Sequence, residues 1–221
     1  MTDRKSLGPA NAATTPLENA GIANIVGRIR AAVETGADWV QIREKDLPAR
    51  EALALTRAAV TASYAKRPGA RVIVNDRLDV ALAAGAAGVH LGGQSLPARE
   101  AVSWCRAGNA PREFLIGVSC HTLEDARAAE HAGANYIFFG PVFDTPSKRG
   151  FGRPQGLGLL AEICHSVGIP TIAIGGVDES NSVECLRAGA VGVAAIRLFQ
   201  EERRPGELEN FITRLHHWTS D

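Results

Sequence analysis

The chain has 221 residues, 45% of them apolar, and its 24 Lys and Arg balance 24 Asp and Glu. That length suits one domain with its own core better than two. Zero net charge without a basic stripe argues against nucleic acid. No apolar run reaches the roughly 18 residues that span a bilayer, and no signal-like stretch occupies residues 1–15, so a cytoplasmic protein is expected.

Along the chain, residues 1–4 are the only stretch before the first helix that could form a strand. Residues 5–16 are small and polar, which predicts a mobile loop, and a helix is predicted over residues 21–35. Then comes Gly36-Ala37-Asp38-Trp39-Val40-Gln41, a phrase that returns as Gly85-Ala86-Ala87-Gly88-Val89-His90. It recurs as Gly133-Ala134-Asn135-Tyr136-Ile137-Phe138 and as Gly189-Ala190-Val191-Gly192-Val193-Ala194. Each copy follows a stretch with helical periodicity, so its glycine is expected to cap a helix before the chain turns into a strand. Between the copies lie further strand-like runs at residues 72–74, 114–118 and 171–174. A last amphipathic helix is expected over residues 208–218.

Seven strands thus alternate with helices, roughly 20 to 30 residues apart, as in parallel α/β architectures. Their short apolar runs imply burial on both faces. The repeat, and the absence of a GxGxxG fingerprint after the first strand, favour a single (β/α)8 TIM barrel over an open sheet. The expected domain covers residues 1–221, with a first strand that is either very short or truncated at the N-terminus.

Such a barrel gathers its site at the C-terminal ends of the strands. Those ends carry Gln41, Arg43 and Lys45; Asn75 and Asp76; His90 to Ser95; Ser119 to Thr122; Thr145, Ser147 and Lys148; Gly175 and Gly176; Ile196 and Arg197. Arg43 and Lys45 alternate and can share one side of an extended segment. Gly175-Gly176 offers backbone N–H groups to a phosphate. Asp76 is a hard oxygen ligand of the kind Mg²⁺ prefers beside phosphate oxygens. The set suggests a diphosphate held by cations and metal, with a second phosphate at the Gly-Gly turn.

Plainer roles compete with these. Asp76 could cap the next helix, Thr122 with Asp125 approximates a capping box, and His90 fits a satisfied core histidine. The four cysteines, Cys105, Cys120, Cys164 and Cys185, show no zinc-type spacing and are expected as reduced thiols.

Taken in order, Val40-Gln41-Ile42-Arg43-Glu44-Lys45, Val74-Asn75-Asp76-Arg77 and Gly88-Val89-His90-Leu91-Gly92 form a set that resembles thiamine-phosphate synthases. Gly117 to Thr122, Gly140 to Lys148 and Ala173-Ile174-Gly175-Gly176 continue it, so the resemblance runs from about residue 2 to residue 199. It implies a transferase that joins hydroxymethylpyrimidine diphosphate to a thiazole phosphate with release of pyrophosphate. Gln41, Arg43, Lys45, Asn75, Ser119 and Lys148 would hold the diphosphate substrate, and Asp76 would bind Mg²⁺. Thr145, Ser147, Gly175 and Gly176 would receive the thiazole phosphate, closed by Ile196 and Arg197. The partners implied are these small molecules, with neither nucleic acid nor membrane; a homo-oligomer is left open.

The resemblance has three departures. Ser95 stands where the family carries a second metal-binding carboxylate, Arg197 stands where it carries Ser, and the apolar residues usual before Thr2 are absent. The first points to the paralogous thiazole tautomerases, which are metal-independent and use a histidine for proton transfer where His121 stands here. A non-catalytic barrel that binds a thiamine intermediate is the remaining alternative.

Overall fold

The computed structural model describes residues 1–2, 17–145, 153–199 and 206–218. Among these, the chain runs α1 (Leu17–Glu34), β1 (Trp39–Ile42), α2 (Ala49–Lys66), β2 (Arg71–Asn75), α3 (Leu78–Ala84) and β3 (Gly88–Leu91). It continues through α4 (Ala98–Trp104), β4 (Leu115–Cys120), α5 (Leu123–Ala132), β5 (Tyr136–Phe139) and α6 (Gly156–Ser166). β6 (Thr171–Ile174), α7 (Ser182–Arg187), β7 (Gly192–Ala194) and α8 (Glu207–His216) complete it. All seven expected strands are present, and they follow one another in chain order as a seven-stranded sheet.

The eighth strand of the expected barrel is not found among the described residues. In its place the Thr2 N–H donates to the Gln41 carbonyl at 2.8 Å, and the Arg43 N–H donates to the Thr2 hydroxyl at 2.9 Å. This is one residue of pairing on the edge of β1, too little to count as a strand. The loop expected over residues 5–16 lies outside the described residues. No helix among the described residues is long and apolar enough to cross a membrane.

The chain divides into two compact units, Met1–Val89 with Ile196–His217, and one built on His90–Ala195. In the first, Ile25, Ile29 and Val33 are buried at successive turns of α1, the spacing that gives a helix one apolar face. β1 and β2 pair in parallel with Val40 opposite Val72 and Ile42 opposite Val74, and all four side chains are buried. At the start of β1, the Asp38 carboxylate accepts from Arg67 at 2.9 Å and from His216 at 2.8 Å, which fastens the end of α8. Being exposed, each such pair is worth about 1 kcal/mol or less.

In the second unit, β4, β5, β6 and β7 are parallel, with Gly117 opposite Tyr136, Ser119 opposite Phe138, and Ala173 opposite both Phe139 and Val193. Pleating sends alternate side chains to opposite faces. Cys120, Ile137, Phe139 and Ala173 enter a core with Ala126 and Ala129 of α5, Leu160 and Ile163 of α6, and Cys185 of α7. The other face carries Ser119, Tyr136 and Phe138. Helix α5 opens on the capping box suggested by the sequence: the Asp125 N–H donates to the Thr122 hydroxyl at 3.0 Å, and the Thr122 N–H donates to the Asp125 carboxylate at 3.0 Å. Thr122 is therefore a helix cap.

The four repeat glycines, Gly36, Gly85, Gly133 and Gly189, have φ of 106°, 68°, 87° and 101°. Each occupies the left-handed conformation that the repeat predicted. Gly140 is constrained differently, by space: a Cβ there would lie 1.9 Å from the Ile174 carbonyl oxygen, which is backbone and cannot rotate away. Gly140→Ala is therefore expected to destabilise the protein by about 3 kcal/mol through forced strand separation. Gly27, exposed on α1 with nothing within 4 Å of its built Cβ, is the control. Gly27→Ala should stabilise by about 0.5–1 kcal/mol. Urea unfolding midpoints of the two variants should move in opposite directions; a tolerated Gly140→Ala would refute the close approach.

Candidate active site

At the C-terminal ends of β1 and β2 the polar side chains form a chain of contacts. Gln41 and Asn75 lie on the same face, since Gln41 pairs with Ile73 and Asn75 is two residues further along β2. Gln41 Nε2 donates to Asn75 Oδ1 at 3.1 Å, and Asn75 Nδ2 donates to Asp76 Oδ2 at 2.5 Å. Lys45 Nζ stands 3.7 Å from the same carboxylate oxygen. The sequence-predicted Gln41, Lys45, Asn75 and Asp76 are thus brought together. Arg43 is half-buried and Lys45 exposed.

Two features of this cluster cost stability. Gln41 is only 6% exposed, and its Oε1 is buried with no hydrogen-bond partner among the described residues. Leaving such an acceptor unpaired costs about 1–3 kcal/mol. Asp76 has φ of 62°, in the left-handed region that Asp tolerates at a cost of about 1 kcal/mol. The cap position of α3 falls on Arg77 rather than on Asp76, and the Arg77 side chain makes no capping hydrogen bond. Arg77 instead grips Asp79 at 2.8 and 2.6 Å, and this hydrogen bonding holds the Asp79 carboxyl below the ordinary carboxylate range.

The second unit carries its own polar group. His90 on β3 is 2% exposed; its Nε2 lies 2.8 Å from Ser119 Oγ and its Nδ1 lies 3.2 Å from the Tyr136 hydroxyl. The expectation of a satisfied core histidine holds, but one of the partners is a predicted site residue. His121, at the end of β4, is exposed, and its Nδ1 donates to the Gly140 carbonyl. A carbonyl only accepts, so in the neutral ring the proton is on Nδ1 and Nε2 carries the lone pair. Cys120 beside it is fully buried, and burial, helped by the Asp125 charge, pushes its thiol up to about 12. It is no nucleophile at neutral pH.

Ser95 closes its own turn: the Gly92 N–H donates to Ser95 Oγ at 2.6 Å, and the Ser95 N–H donates to the Gly92 carbonyl at 3.0 Å. Thr145 is buried in the segment after β5, which the Gly175-Gly176 turn holds closely. The Phe143 N–H donates to the Gly175 carbonyl at 2.9 Å, and a Cβ on Gly176 would lie 2.6 Å from the Asp144 carbonyl oxygen. Ile196 is half-buried, and the exposed Arg197 begins a 3-10 turn, Arg197–Phe199. Ser147 and Lys148 lie outside the described residues. Among the described residues, no group of three or more His, Cys, Asp or Glu could hold a metal ion.

Residues 14–199 match the family described as thiamine monophosphate synthase. The chain belongs to that family. A relative from Geobacter sulfurreducens is 45% identical over 87% of both chains. The thiamine-phosphate synthase of Roseiflexus sp. is 44% identical over 76% of this chain and 68% of its own. The solved thiamine phosphate pyrophosphorylase of Pyrococcus furiosus is 33% identical, covers 86% of this chain and 90% of its own, and superposes with a TM-score of 0.73. Similarity at this level makes the chain a transferase of the thiamine-phosphate synthase type.

In this thiamine monophosphate synthase family member, the left-handed Asp76 offers a direct test. Asp76→Gly removes the carboxylate and relieves the backbone, so stability should rise by up to about 1 kcal/mol while turnover falls by about 100-fold. A urea midpoint that falls along with activity would make Asp76 a structural residue.

Proposed function

We propose that the chain condenses hydroxymethylpyrimidine diphosphate with a thiazole phosphate to give thiamine phosphate and pyrophosphate. The observation that carries this is the Gln41–Asn75–Asp76–Lys45 cluster, which leaves the buried Gln41 Oε1 unpaired. An aminopyrimidine supplies the N–H donor this oxygen lacks. Arg43, Lys45, Lys148 and Ser119 hold the diphosphate, and the positive charge of Arg43, Lys45 and Lys148 stabilises the negative charge that accumulates on the departing pyrophosphate. Thr145, Ser147, Gly175 and Gly176 take the thiazole phosphate, with Ile196 and Arg197 closing that side. On this proposal the whole chain acts as one (β/α)8 barrel domain in the cytoplasm, where free Cys105, Cys120, Cys164 and Cys185 are at home.

Asp76 supplies one carboxylate, with one oxygen shared by Asn75 and Lys45. Such a set fits a Mg²⁺ that arrives on the diphosphate and keeps waters, since Mg²⁺ is commonly held by one or two carboxylates plus phosphate oxygens. It does not fit a metal held by the protein alone. When bound, the ion neutralises charge on the leaving group. Ser95 is the neutral member of the proposed metal pair.

One observation favours the tautomerase alternative: the exposed His121, with its proton fixed on Nδ1, presents Nε2 as a base. Pyrophosphate release separates the two activities. With both substrates and Mg²⁺, release is expected, and a chelator should abolish it. Folded protein that releases none would transfer the assignment to proton transfer by His121. Ser95→Asp should lower the Mg²⁺ concentration for half-maximal activity several-fold, because Asp can keep the Gly92 contact with one oxygen and offer the other. An unmoved midpoint would dismiss residue 95 as a metal neighbour.

A further inference from the structure

We propose that Tyr136 and His90 are positioning residues that fix the Ser119 hydroxyl as a hydrogen-bond donor toward the diphosphate. This rests on the assignment of Ser119 to that substrate. The three side chains form a continuous relay from the buried Tyr136 and His90 to the half-buried Ser119, with Tyr136 O to His90 Nδ1 at 3.2 Å and His90 Nε2 to Ser119 Oγ at 2.8 Å. Tyr136 is 1% exposed, and burial pushes its phenol upward, so the hydroxyl keeps its proton. Donated to Nδ1, that proton forces the imidazole proton onto Nε2. Nε2–H then donates to Ser119 Oγ, and the serine's own hydrogen is directed away from the ring.

The direction of the relay matters because an ionised diphosphate offers only acceptors. With the other tautomer, His90 Nε2 would consume the Ser119 hydrogen and leave a serine lone pair facing negative charge. Packing holds the ring in the orientation the relay needs. His90 lies 4.3 Å between centroids from Phe138 and 5.6 Å from Tyr136. Tyr136 itself fits only because residue 117, its partner across the β4–β5 ladder, is Gly. A Cβ at Gly117 would stand 2.0 Å from Tyr136 Cζ and 2.4 Å from its hydroxyl oxygen. A buried phenol, a histidine and a missing side chain thus converge on one serine at a strand end.

The test combines Tyr136→Phe, Ser119→Ala and the double variant, with imidazole ¹⁵N spectra of the full-length protein and His90→Gln to assign the His90 signal. The wild type should show the Nε2–H tautomer of His90, and Tyr136→Phe, which keeps the ring packing, should shift it toward a mixture. Tyr136→Phe should lower kcat about 10-fold and weaken inorganic pyrophosphate binding in the presence of Mg²⁺, while leaving KM for the thiazole phosphate unchanged. In the Ser119→Ala background the same change should cost nothing further, because Tyr136 acts through the serine. Equal losses in both backgrounds, or an Nδ1–H tautomer in the wild type, would overturn the proposal. If Ser119→Ala alone leaves kcat and pyrophosphate affinity intact, the failure lies in assigning Ser119 to the diphosphate, and the relay falls with it whatever tautomer the spectra show.

Discussion

The parity of the β-pleat governs both the packing and the site. Each strand is short and parallel, and its alternate residues must satisfy two different neighbours. In the second unit, Cys120, Ile137, Phe139 and Ala173 meet the apolar residues of the helices. The intervening positions carry Ser119, Tyr136 and Phe138, against which His90 packs. In the first unit, Val40, Ile42, Val72 and Val74 occupy one parity, while Gln41, Ile73 and Asn75 occupy the other. A register slip of one residue would drive polar side chains among the helices and apolar ones toward the ligand. Fold stability and placement of the chemistry therefore depend on the same alternation.

Glycine completes what parity begins. Gly140 lets its strand end approach the Ile174 carbonyl, and Gly175 and Gly176 let the next turn lie against Pro141, Phe143 and Asp144. The segment carrying Thr145 is thereby fixed by backbone bonds, Val142 N–H to the Ile174 carbonyl at 3.0 Å and Phe143 N–H to the Gly175 carbonyl at 2.9 Å. A phosphate held by hydroxyls and backbone N–H groups needs such rigidity, because donors that must reorganise give up part of their interaction on binding. On the proposed function, the same glycines that permit close backbone approach would also present donors to the thiazole phosphate.

Much of this was legible in the sequence. The repeated Gly-Ala phrase located four of the seven strands and the left-handed glycines before them, because helix cap and strand entry are both local. Gln41, Asn75 and Asp76 could be placed at strand ends because the barrel architecture assigns those positions. The left-handed backbone of Asp76 was not legible, since an Asp before a helix is more readily expected to cap it. Nor was the bond from His90 to Ser119, which spans 29 residues. A signal did exist: aligned copies of the repeat place Gln41, His90 and Phe138 at the same pleat position, so a histidine in that series faces the polar side. The bond that Ser95 Oγ accepts from the Gly92 N–H was not legible either.

Where the protein departs from its lowest-energy arrangement is itself informative. Buried hydroxyls without partners, on Ser63 and Ser182, lie within α2 and α7. The unpaired amide oxygen of Gln41 is a costlier defect than a hydroxyl, which can rotate toward any nearby acceptor. It lies at a strand end, hydrogen-bonded through Asn75 to the left-handed Asp76. Two independent penalties thus fall in one connected group. On the proposed function, a ligand that donates to Gln41 and shares the Asp76 carboxylate with a cation would relieve them. A site built this way gives up stability in the free protein and recovers it as binding energy, which ties affinity for the first substrate to the strain of the empty cluster.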